Sequence, residues 1–101
     1  MSVLVHAVGQ PGLKPFAMSD RFRHDITYFC TSPGEPGAPA KLGPGEWWVR
    51  AEDARRFHDD GVLRVVSPLD SASSTEIEIS EEQESWLAWM LAHGIEHVRL
   101  A

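Results

Sequence analysis

The sequence predicts one α+β domain over residues 1–101, a small mixed or antiparallel sheet of about five to six strands with two helices. Three observations predict it. Thr75-Glu76-Ile77-Glu78-Ile79 alternates apolar with charged, the period of a strand with one buried and one wet face. Ser80 with Gln83 forms a capping-box pattern ahead of an apolar run that stops at Gly94. Between residues 33 and 45, eight of thirteen residues are Pro or Gly, a composition that neither element tolerates.

Taken in order, Val3 to Val8 is a Val/Leu-rich strand that stops at the turn Gly9-Gln10-Pro11-Gly12. Residues 13–24 give no clear period, because Pro15 and the charges Asp20, Arg21 and Arg23 interrupt it. Asp25 to Thr31, with Ile26, Tyr28, Phe29 and Cys30, reads as a second strand. The Pro/Gly-rich segment 33–45 reads as a long surface loop. Glu46-Trp47-Trp48-Val49-Arg50 is a short strand. Ala51 to Asp60 is a helix with Glu52 and Asp53 at its positive end, Ala54 and Phe57 facing inward, and Gly61 closing it. Val62 to Val66 is a strand ended by Ser67-Pro68. In the alternating strand, Thr75, Ile77 and Ile79 form the face expected to be buried. The last helix carries Glu81 and Glu82 in its first turn, Ile95 follows Gly94 where a residue packs back on the last turn, and Glu96 to Leu100 is the closing strand. From Trp47 onward the order is β-α-β-β-α-β, the split-βαβ order of ferredoxin-like domains, with two extra strands before it.

At 11.2 kDa the folded chain should expose roughly 5,700 Å² against roughly 16,000 Å² when extended, enough burial for one core without staples. The net charge of −6, with Lys and Arg scattered, argues against nucleic-acid binding and against an anionic membrane surface. A lone cysteine, Cys30, precludes an intramolecular disulfide and suits a reducing compartment. The N-terminal apolar run is shorter than a signal-peptide core and contains His6, so the expected location is cytoplasmic.

No catalytic, phosphate-binding or zinc-spaced motif occurs, and neither metal nor cofactor is expected. His93 and His97 have helical i, i+4 spacing, but Gly94 between them places one on the helix and the other on the strand. His24-Asp25 and His58-Asp59 are neighbours in sequence whose side chains diverge on any regular element. Cys30 reads as a small buried hydrophobe at a strand end. Pro33, Pro36 and Pro39 recur every third residue without the flanking basic residues of a polyproline ligand. Glu76, Glu78, Glu81, Glu82 and Glu84 form the densest charge run, a solvated face or a patch for a basic partner.

Four of the nine aromatic residues are Trp. Trp47 and Trp48 are consecutive on a strand and cannot enter the same core. On the last helix Trp86, Leu87, Trp89, Met90 and Leu91 sweep an apolar arc of roughly 200°, wider than a helix on one sheet needs, with Trp89 at its rim. Unless the loop or the first seventeen residues cap them as core, these rings point to a non-enzymatic protein-interaction module that binds a second copy of the chain or another protein through Trp47, Trp48, Trp86 and Trp89. The alternatives are a small enzyme or ligand-binding domain with a His/Asp-lined cleft, and an acidic decoy for a basic partner protein.

Overall fold

The computed structural model describes residues 2–35, 38–39, 41–66, 69 and 74–101. It is a small α+β domain. Among the described residues, six strands and three helices follow the order β1 (Ser2–Ala7), β2 (Phe16–Ser19), α1 (Phe22–Phe29), β3 (Glu46–Trp48), α2 (Ala51–Asp60), β4 (Val62–Val66), β5 (Ser74–Glu78), α3 (Glu81–His93) and β6 (His97–Leu100). The strands form two antiparallel sheets, one of four strands in the order β2-β1-β6-β3 and one of β4 with β5.

From β3 onward the elements follow the expected β-α-β-β-α-β order. The structure corrects the sequence reading in three places: the expected single sheet is two sheets, there is a third helix, and the strands do not pair in a ferredoxin-like sheet. The extra helix, α1, covers most of the segment expected to be a strand at 25–31. Its reason is helical spacing: Phe22, Ile26 and Phe29 stand at i, i+4 and i+7 and are all buried. That period begins four residues before the start of the β-favouring run Ile26-Thr27-Tyr28-Phe29 and outweighs its local preference. The ambiguous stretch 13–24 supplies β2 and the start of α1.

Pairing register fixes the two faces of the larger sheet. Val3 lies opposite Met18 and Val5 opposite both Phe16 and Leu100; Ala7 and Trp47 both lie opposite Val98. Val3, Val5, Met18 and Val98 are buried, so this is the core face. His6, Arg99, Glu46, His97 and Trp48 occupy the other face.

The helices cover the core face. Trp86 is fully buried between Phe22 and Phe29, its ring centroid 4.8 Å and 5.4 Å from theirs, both edge-on. The broad apolar arc of α3 is used on two sides: α2 packs along it, and Phe16 of β2 stacks at 5.5 Å on Trp89. Trp89 is therefore half-buried rather than turned outward.

Helix ends follow the sequence closely. At α3, Ser80 Oγ accepts from Gln83 N and Gln83 Oε1 from Ser80 N, the full capping box. The helix closes with Gly94 at φ 64°, Gly94 N donating to Leu91 O and Ile95 N to Met90 O. Helix α2 ends on Gly61 at φ 71° but has no capping side chain of its own; Glu96 Oε2 accepts from Ala51 N at 2.7 Å instead.

The β4–β5 hairpin departs from expectation at its far strand. Ile79 is buried, but Thr75 and Ile77 are exposed and so is all of β5. The strand forms where the alternation places it, but nothing among the described residues covers the face of Thr75 and Ile77 completely. The turn expected at 67–73 and Pro36 of the every-third-proline series lie outside the described residues, apart from Leu69.

Candidate functional site

Helix α1 builds the most chemically varied concavity. Asp25 is three residues from Phe22 and one from Ile26, which carries it to the edge of the buried stripe. It is the one buried charged residue among those described, at 7% exposure. A buried carboxylate needs polar partners, and two are supplied: Gln83 Nε2 donates to Asp25 Oδ2 at 3.2 Å, and the Arg21 guanidinium makes an ion pair with Nε 3.3 Å from the same oxygen. Gln83 thus caps α3 through its oxygen and ties α3 to α1 through its nitrogen.

The walls follow from the neighbouring elements. Glu82, one residue before Gln83, accepts from both the backbone and the hydroxyl of Ser19 and fastens the end of β2 to the start of α3. His24 and Tyr28, one helical turn apart on α1, pair at 3.2 Å between Nε2 and Oη. Opposite them stands the hairpin, with Leu63 and Ile77 side by side on one face. The space enclosed is a cleft of about 420 Å³, lined among others by Asp25, Tyr28, Phe29, Leu63, Ile77 and Gln83. Tyr28 and Ile77 are 40% and 36% exposed and form an apolar rim; Phe29 and Leu63 belong to the core and form its floor.

A second cluster lies on the outer face of the larger sheet. Glu46 Oε1 accepts from Gly43 N at 2.7 Å and lies 2.9 Å from His97 Nε2. The Gly43 N–H, then the His97 ring, hold the Glu46 carboxyl below its ordinary value. Register sets Arg99 between His6 and Glu46, and these three line a shallow depression of about 360 Å³. No group of three metal-ligating side chains converges there or elsewhere among the described residues.

The residues singled out from sequence disperse. Trp86 is core. Trp47 packs against the core from the inner face of β3, and Trp48 lies on the outer face, with the Arg50 guanidinium 5.7 Å from its ring centroid. Trp89 is on the helical side of the sheet. The four rings therefore make no common surface. His93 ends α3 and His97 opens β6, as Gly94 implied. His24 and Asp25 diverge, the first to Tyr28 and the second to Gln83 and Arg21. His58 Nδ1 lies 3.4 Å from Asp59 in an exposed contact. Cys30 follows a helix rather than a strand; it is buried, and burial pushes its thiol far above the ordinary range, away from the reactive thiolate.

Asp25, Tyr28, Ile77 and Gln83 were missed as a group. The signal available was the Phe22/Ile26/Phe29 spacing, which puts Asp25 at a helix–helix contact once α1 is recognised. No family model matches the chain, and no curated protein or solved structure matches it either.

Proposed function

We propose that this chain is a non-enzymatic protein-interaction module that docks its partner in the cleft between α1 and the β4–β5 hairpin. One observation carries the reading: an apolar rim, Tyr28 and Ile77, stands exposed around a floor of core side chains with a buried carboxylate beside it. Apolar centres with a few fixed polar groups are the usual make-up of a docking site, and Tyr is among the residues enriched there. The volume falls within the range of roughly 300–1,000 Å³ typical of binding pockets. A catalytic reading of the same cleft has less support, because His24 pairs with Tyr28 instead of Asp25 and no activated nucleophile lies among the lining residues. A buried free thiol and an acidic chain accord with residence in a reducing cytoplasm.

Site-specific photocrosslinking in intact cells tests this. A photoreactive residue in place of Tyr28 or Ile77 should give a discrete adduct, and the same residue in place of Arg55, exposed on α2, should not. An adduct of twice the chain mass would make the partner a second copy. Equal or absent adducts at all three positions would overturn the proposal.

A further inference from the structure

We infer that the partner segment received by this cleft is basic, an Arg or Lys side chain reaching Asp25 while a neighbouring apolar side chain packs on Phe29, Leu63 and Ile77. The inference rests on the interaction reading above and names the chemistry of its occupant.

Two independent features support it. The first is the state of Asp25. The hydrogen bond from Gln83 and the ion pair with Arg21 both fall on Oδ2, and among the described residues none donates to Oδ1. A carboxylate nine-tenths buried gains strongly from a further charge-assisted donor, and a guanidinium or ammonium at the mouth of the cleft supplies one. Arg21 does not fill that role, since its side chain is 83% exposed and its contact falls on Oδ2, leaving Oδ1 open.

The second feature is charge balance. Asp25, Glu78 and Glu82 line the cleft against a single guanidinium, that of Arg21. Glu81 stands in the adjoining helix turn, Glu76 in the adjoining strand is neutralised by Arg64 at 2.9 Å, and the whole chain carries −6. Such a field draws a cationic segment toward the cleft and repels an acidic one or a nucleic acid. The apolar floor then sets register: a basic residue alone would leave Phe29, Leu63 and Ile77 wet, whereas a basic residue beside Leu or a similar side chain covers them.

The experiment uses the whole chain, labelled with ¹⁵N, and two capped hexapeptides. One carries an adjacent Leu-Arg pair between Gly and Ser residues; the other has Glu in place of Arg. The Leu-Arg peptide should shift the amides of Tyr28 and Ile77 and the Gln83 side-chain amide, with affinity falling as salt is raised. The Glu peptide should shift none of them. Ile77→Lys and Ile77→Glu separate charge from packing at one exposed position: the Lys variant should bind the Leu-Arg peptide about tenfold more weakly than the Glu variant. Asp25→Asn, which keeps an acceptor for Gln83, should weaken binding severalfold. Equal binding of the two peptides, or shifts confined to other faces, would overturn the inference. Adducts at positions 28 and 77 without any peptide shift would defeat the basic partner and leave the interaction module standing. Absence of both would defeat the two together.

Discussion

Glu46 shows how one side chain draws its chemistry from distant neighbours. It sits in a three-residue strand, and its carboxylate is stabilised by a loop N–H at Gly43 and by His97, 51 residues away. Its folded pKa lies below the ordinary 4.5, so protonation favours the unfolded chain. The stabilisation is present above the unfolded value and is lost as pH falls through the folded one. Glu46→Gln should therefore flatten the fall in melting temperature that the native chain shows below about pH 5, with the two proteins parallel at higher pH. Thermal melts across that window check it. Trp86 is the opposite case: its ring is wholly buried and its indole N–H meets no acceptor among the described residues, flanked instead by the rings of Phe22 and Phe29. Packing decides its place, since the area a Trp buries outweighs one unmet donor.

At the scale of elements, the capping box of α3 has a tertiary second task. Ser80→Ala removes one cap bond and should cost about 1 kcal/mol. Gln83→Ala removes the reciprocal bond and also takes a donor from buried Asp25, so it should cost more, by about 1–3 kcal/mol. Denaturant titrations of the two variants give the comparison; equal losses would mean that the Gln83–Asp25 bond contributes nothing. Helices α2 and α3 were legible because their signals are local. Asp and Glu stand in the first turns, and a glycine takes the left-handed conformation at each end. Helix α1 was not legible. Its first residue follows Arg21, which gives no capping bond, and its sequence is rich in residues that suit strands. Only the partners that bury Phe22, Ile26 and Phe29 make it a helix.

For the molecule as a whole, the two sheets differ in how they are held. Strands β1 and β6 have hydrogen-bonded neighbours on both sides and contribute Val3, Val5 and Val98 to the core. Among the described residues, strand β5 pairs only with β4 and is exposed throughout. The accessible surface, 6458 Å², exceeds the roughly 5,700 Å² expected for this mass. Two-stranded ribbons are marginal on their own, so the amides of β5 should exchange with solvent by local opening at a lower free energy than those of β1 and β6. Hydrogen exchange resolved by residue measures it; equal protection would show the hairpin opening only with the core. A less rigid hairpin would suit a wall that closes on a docked segment.

Sequence alone determined the features whose physics spans a few residues. A capping side chain reaches three positions ahead, a left-handed glycine closes the turn before it, and clustered proline and glycine forbid a ladder wherever they fall. It also marked the apolar stripe of each of the helices α2 and α3. Which surface receives that stripe is a question of pairing across the chain, and only the tertiary structure decided it. The bonds that build the cleft join residues 58 and 63 apart, Gln83 to Asp25 and Glu82 to Ser19. Loop closure over such distances depends on the free energy of the whole core, so no local pattern records it.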